Sequence, residues 1–211
     1  MSVQEERGFT KIVAVIAIII ITVAIYFIMT STIQDKPLAG RGGEIDRKGD
    51  ADIGGDFTLI DQDGKTFTNT QLKGKLSLIY FGFTFCPDIC PTSLQKITKV
   101  IETLDKYGKD VTPVFITIDP KRDTSESLKK YLANFHPKLI GLTGEEKDIK
   151  DTADKFKVFY APAPGSGTGR NDYLLDHTSL VYIMDKNGKY MKHFHIDSSP
   201  EEIIEYIRVN G

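Results

Sequence analysis

The stretch LSLIYFGFTFCPDICP, residues 76–91, runs from an almost unbroken apolar segment into a motif that holds both cysteines of the chain. Residues 76–81 carry a single serine among apolar side chains, which suits a strand buried on both faces. Downstream, Leu94, Ile97, Val100, Ile101 and Leu104 recur at helical spacing and define one apolar face. Pro91 suits the first position of that helix, which places Cys90 at or near its N-cap. Pro87 pushes Cys86 toward extended geometry. Both sulfurs then lie at a strand-to-helix junction, near the positive end of a helix where a thiolate is favoured. In α/β folds, sites gather at this end of a parallel strand.

Working outward from the junction, residues 57–60 and 66–68 flank Asp61-Gln62-Asp63-Gly64 and predict a hairpin with a glycine-bearing turn. Residues 114–118 read as a second buried strand, closed by Asp119-Pro120. Thr124 opens another helix, along which Ser127, Leu128, Tyr131 and Leu132 lie. Residues 145–156 predict a third helix, with Ile149, Ala153 and Phe156 on one face. The segment APAPGSGTG, residues 161–169, predicts a loop without regular structure. Its glycines faintly resemble a phosphate loop, but the Gly-Lys-Ser/Thr ending is missing. Residues 179–184 and 189–195 form a second hairpin about Asp185-Lys186-Asn187-Gly188. Pro200 starts a final helix with Ile203, Ile204 and Ile207 inward. Helix-joined strands imply parallel pairing, and the late hairpin adds antiparallel strands. The fold class is α/β, a thioredoxin-like mixed sheet flanked by helices.

Ahead of this domain, IVAVIAIIIITVAIYFIM (residues 12–29) has no charge and one polar interruption, Thr22. As a helix it would measure roughly 27 Å, close to the ~30 Å hydrocarbon core of a bilayer. A signal-peptide core is shorter, and no small-x-small cleavage site follows Met29. The expected organisation is therefore an N-terminal cytoplasmic flank (1–11), a transmembrane anchor (12–29), a tether rich in Gly, Asp and Lys (30–52) and a folded domain (53–211). Arg7 and Lys11 balance Lys36 and Arg41 across the span, so the positive-inside count is a tie. The short flank favours an inside N-terminus and an exported domain. With 27 basic against 29 acidic residues, no electrostatic argument points to nucleic acid.

The two cysteines admit three chemistries. As a disulfide staple they would close so small a loop that little unfolded-chain entropy is removed. As a redox pair they depart from the usual Cys-x-x-Cys by one extra residue. As metal ligands they need a third partner, for which the chain offers four histidines. His136 lies at a helix end, where capping is the default role. His193 and His195 share one face of a predicted strand, a common half-exposed placement. His177 sits between the flexible loop and a buried strand, from where it could swing a ligand over a neighbouring site. Two thiolates and an imidazole form a soft, low-coordinate set that suits copper, Cu(I) above all, and would also hold zinc.

Three motifs carry a resemblance: GFTFCPDICP (82–91), TIDPKRDT (117–124) and DYLLDHTS (172–179). On these the chain resembles the Sco/SenC family of membrane-anchored copper chaperones for cytochrome c oxidase assembly, over roughly residues 53–211. The resemblance implies a thioredoxin-like fold with copper, as Cu(I) or Cu(II), held by Cys86, Cys90 and His177. It implies delivery of that copper to the CuA centre of oxidase subunit II. Alternatively, Cys86 and Cys90 would cycle as a thiol-disulfide reductase that keeps the subunit II cysteines reduced. Another copper donor or a thiol reductant would be a further partner. The implied location is the bacterial inner membrane with the domain in the periplasm, or the mitochondrial inner membrane equivalent. Asp88 is implied as a partner-facing or metal-tuning residue. No proline directly precedes the strand at Ser179, a departure from general thioredoxin oxidoreductases.

Overall fold

The computed structural model describes residues 17, 19–26, 53–167, 169 and 172–211. The chain divides into two units, residues 1–50 and 51–211. In the first, the described residues are helical. The remainder of the expected anchor, together with the flank and the tether, lies outside the described residues. Among the described residues no helix is long and apolar enough to cross a membrane.

The second unit is a seven-stranded sheet in the order β2-β1-β5-β4-β3-β8-β9, with a separate two-stranded ribbon, β6-β7. Its strands are β1 (Thr58–Asp61), β2 (Thr66–Thr68), β3 (Leu76–Gly82), β4 (Val111–Thr117), β5 (Ile140–Thr143), β6 (Tyr160–Pro162), β7 (Leu175–His177), β8 (Leu180–Met184) and β9 (Tyr190–His195). Its helices are α1 (Ile89–Lys106), α2 (Ser125–Leu132), α3 (Glu146–Lys155) and α4 (Pro200–Asn210). Strands β3, β4 and β5 are parallel, and β1, β8 and β9 join antiparallel. The mixed, helix-covered sheet expected from the sequence is what forms.

All seven residues of β3 are buried, because β4 and β8 flank it and helices cover both faces. Tyr80 faces α1, and Phe81 faces the other way, its ring 5.3 Å from that of Phe156. Leu94, Ile97, Val100, Ile101 and Leu104 of α1 bury the predicted stripe, and α1 packs beside α4, where Ile203, Ile204 and Ile207 are buried. Each such aliphatic side chain contributes about 1.5–3 kcal/mol on leaving water. Thr124 caps α2 by accepting from the Ser127 N–H, and Ser199 caps α4 by accepting from the Glu202 N–H.

Three local expectations are corrected. Helix α1 begins at Ile89 with Asp88 as its N-cap, so Cys90 lies inside the first turn rather than at the cap. A proline is tolerated anywhere in that turn, where its missing N–H has no helical partner. Strand β5 separates α2 from α3, where the sequence suggested two consecutive helices. Gly141 hides it: a Cβ there would come within 2.3 Å of Leu132 Cδ1, so tight helix-sheet packing selects a poor strand former. Finally, Ala161 and Pro162 belong to β6, which pairs with β7, so the loop starts later than expected.

Candidate metal centre

Strand β3 ends at Gly82, and the chain climbs through Phe83, Thr84 and Phe85 to Cys86 before entering α1. Gly82 is required by what lies above it. A Cβ at this position would sit 2.7 Å from Cys90 Sγ, 2.9 Å from Phe115 Cε2 and 3.2 Å from Tyr80 Cε1. The absent side chain therefore makes the room that Cys90 fills. Cys90 is fully buried, Cys86 is half-buried, and both are free thiols. The Cys90 backbone N–H donates to Cys86 Sγ at 3.4 Å, and the Tyr80 hydroxyl donates to Cys90 Sγ at 3.7 Å.

The third group arrives from 87 residues away: His177 Nε2 lies 3.6 Å from Cys90 Sγ. His177 ends β7, which pairs with β6 so that Tyr160 is opposite His177. Thr178 fixes the exit, its N–H donating to the Phe159 carbonyl at 2.9 Å. The Nδ1 of His177 is 3.1 Å from the Thr178 carbonyl oxygen. A carbonyl only accepts, so Nδ1 carries a proton, and Nε2 faces the sulfurs. The rings of Phe83 and Tyr80 meet the imidazole edge-on at 6.0 and 6.3 Å. Among the described residues, Cys86, Cys90 and His177 form the one cluster able to hold a metal, with all ligand atoms within 4.8 Å of one another.

The two thiols differ in acidity, with Cys86 pushed down and Cys90 pushed up. Cys86 is held well below the ordinary thiol range, first by the hydrogen bond from the Cys90 thiol and then by His177 and the backbone N–H groups of Cys90 and Asp88, against the opposing effect of burial. Cys90 is pushed up, first as the donor in that same bond and then by its burial. The pair therefore titrates as a unit, with the charge resting on the more exposed sulfur.

The remaining sequence candidates lie elsewhere. His136 Nδ1 accepts from the Lys138 backbone N–H at 3.2 Å, a local capping contact. On β9, His193 Nδ1 meets the Tyr190 hydroxyl at 2.6 Å, and the His193 and His195 rings stand 5.9 Å apart. The Asp88 side chain is exposed, and Asp88 is the N-cap of α1.

Sequence reading missed the support beneath the cysteine loop. Asp123 is buried, and its carboxylate accepts from the Thr84 backbone N–H at 3.0 Å, the Thr84 hydroxyl, and the Thr117 hydroxyl at 2.6 Å. Burial raises its pKa, while the Thr117 and Thr84 hydrogen bonds oppose that shift. The signal was present in TIDPKRDT, a dense polar run directly after a buried strand.

A mixed α/β domain of thioredoxin-like fold, with two thiols and an imidazole converging at the end of a central strand, defines a soft-metal-binding protein. The sequence profile of the SCO1/SenC family matches residues 45–209. The chain belongs to the SCO1/SenC family. An SCO2-like protein of Rickettsia conorii is 56% identical over 203 residues, spanning 96% of this chain and 98% of the relative. The structure of Arabidopsis thaliana ScoI with copper bound is 40% identical, with a TM-score of 0.68 over 74% of this chain and 95% of that one. BsSco, described as having a disulfide switch and as a member of the Sco family of cytochrome c oxidase assembly proteins, is 28% identical with a TM-score of 0.61, over 76% of this chain and 95% of that one.

Proposed function

We propose that this chain is a copper chaperone that carries copper on Cys86, Cys90 and His177 and supplies it to the CuA centre of cytochrome c oxidase subunit II. The observation that carries the reading is the convergence of the three ligand atoms within 4.8 Å, with Nε2 of His177 turned toward the sulfurs. Family membership and the copper-bound ScoI relative favour copper over zinc.

Copper is cargo here, so the site must both hold it and release it. A Cys2His set saturates Cu(I) without a fourth protein ligand and leaves one side open to an incoming thiolate. Loading displaces the thiol proton of Cys90, so binding releases a proton and weakens as pH falls. Release proceeds by ligand exchange, in which a partner thiolate adds as a resident ligand leaves. Exposed apolar side chains close to the ligands in sequence (Phe85, Ile89 and Leu174), with Phe159 beside Thr178 on the ribbon, offer a surface on which such a partner can dock. Residues 12–29 support membrane anchoring, with 1–11 on the cytoplasmic side, 30–52 as tether and 53–211 held near a membrane-embedded oxidase. The exported domain lies in the periplasm or the equivalent mitochondrial compartment.

A thiol-disulfide reductase would need the cysteine pair but no imidazole facing it. Mixing the Cu(I)-loaded full chain in detergent with an apo CuA domain, then adding a one-electron oxidant such as ferricyanide, tests the proposal. Appearance of the CuA absorption from wild type, and none from Cys86→Ala or Cys90→Ala, is expected. Equal CuA formation from the cysteine variants overturns it.

A further inference from the structure

Arg122 is charged yet almost wholly buried, its side chain 4% exposed. Its guanidinium carbon lies 3.6 Å from the Tyr173 ring centroid and 4.5 Å from that of Phe85, with Phe83 at 5.8 Å. Phe85 immediately precedes Cys86, and Tyr173 lies on the segment that leads into β7 and His177. One cation thus contacts the approaches to both ligand-bearing elements. Hydrogen bonds fix its orientation: Nε pairs with Asp119 Oδ2, and Nη1 donates to the Tyr173 carbonyl at 2.9 Å. Asp119 closes the ring by accepting from the Tyr173 hydroxyl at 2.5 Å. Asp119 is itself anchored to the body, its backbone N–H donating to Thr117 Oγ1 at 2.9 Å. Among the described residues Nη2 has no hydrogen-bond partner, so that edge of the group depends on packing against rings.

The β6-β7 ribbon that carries His177 forms a sheet separate from the seven-stranded one. Apart from the short covalent run through Thr178 and Ser179 into β8, which pairs with β3, its tie to the cysteine side rests on side chains. Cation–π contacts gain strength when desolvated, reaching ~2 kcal/mol or more, and a planar guanidinium is suited to stacking where an ammonium is not.

We propose that the stack of Tyr173 and Phe85 on Arg122 is a clamp that joins the His177 arm to the cysteine loop and sets how readily the imidazole engages and leaves the sulfur pair. Arg122 and Tyr173 are then positioning residues for the ligand His177, and the inference rests on the three-ligand site proposed above. With the clamp closed, His177 is preorganised as the third ligand. With it open, copper is held by the two sulfurs alone, the arrangement in which a partner thiolate enters most easily.

The test is a double-mutant cycle in the full chain, reading Cu(I) affinity by competition with a chromophoric Cu(I) chelator. Tyr173→Ala is expected to lower affinity by about tenfold, the lower end for loss of an outer-shell contact. The same change in a His177→Ala background is expected to add no further loss. Arg122→Lys, which keeps the charge but not the plane, is expected to follow Tyr173→Ala in both backgrounds, and Tyr173→Phe to recover most of the affinity. Hydrogen exchange at residues 175–179 should quicken in Tyr173→Ala, while exchange in α1 stays as in wild type. If His177→Ala costs no affinity, the three-ligand site fails and the clamp with it. If His177→Ala weakens binding but Tyr173→Ala costs as much in that background as in wild type, the site stands and the clamp is wrong.

Discussion

Cys90 Sγ and His177 Nε2 lie 3.6 Å apart across 87 residues of sequence, one on helix α1 and the other on strand β7 of the separate ribbon. This separation allows the imidazole to be removed without disturbing the strand-helix junction that carries the sulfurs. His177→Ala, which removes a half-buried ring from beside Tyr80 and Phe83, is expected to destabilise the apo fold by only about 1 kcal/mol. Copper affinity should fall by on the order of a hundredfold, at least matching the larger outer-shell losses. Denaturant unfolding and Cu(I) competition on the same preparations check both halves.

The opposite shifts of the two thiols predict unequal reactivity. Cys86 is depressed from its ordinary value of 9.0, chiefly by the Cys90 thiol, so it stays a thiolate well below that pH. In the reduced apoprotein, alkylation of Cys86 should remain fast at mildly acidic pH, while buried Cys90 resists at every pH where the fold holds. A depressed folded-state pKa stabilises the fold fully above the unfolded value of 9.0 and loses that contribution as pH falls toward the folded value. Cys86→Ser should flatten that part of the stability profile. Equal labelling of the two thiols would contradict the assignment.

Gly82 predicts a steric effect on the same site. Gly82→Ala introduces a Cβ 2.7 Å from Cys90 Sγ and 2.9 Å from Phe115 Cε2. Overpacking of this kind costs about 1–3 kcal/mol. Because one of the displaced atoms is a proposed ligand, copper affinity should fall together with stability, as read by chemical unfolding and chelator competition.

The Asp123 carboxylate holds three donors beneath the cysteine loop. Asp123→Ala strands a buried backbone N–H and two hydroxyls, and a loss of about 2–4 kcal/mol is expected. Asp123→Asn should cost less, since the hydroxyls can turn to accept while the amide oxygen takes the N–H. Its raised pKa adds a pH signature: folding gains from this group at low pH, and the gain fades as pH rises through the folded-state value. Urea titrations across the acidic range, with and without Asp123→Asn, measure it.

Periodicity made much of this architecture legible. The buried run at residues 76–81 and the stripe from Leu94 to Leu104 placed the junction that holds both cysteines. Short elements were not legible, because their signals conflict with local propensity: Gly141 disguises β5, and Pro162 disguises β6. Pro91 marks the start of α1 only to within a turn, because a proline fits its third position as well as its first. At the site, the two sulfurs were evident from spacing. Arg122 and Asp123 stand in a dense polar run after β4, but which of its side chains are buried, and against what, is a tertiary fact that the run does not record.

The most direct test of the central claim is copper K-edge X-ray absorption on the full chain loaded with one equivalent of Cu(I), beside His177→Ala. Two sulfur scatterers and one imidazole nitrogen in wild type, with the nitrogen lost in the variant, is the expected result. An all-sulfur first shell in wild type, or an imidazole contribution that survives His177→Ala, would contradict it.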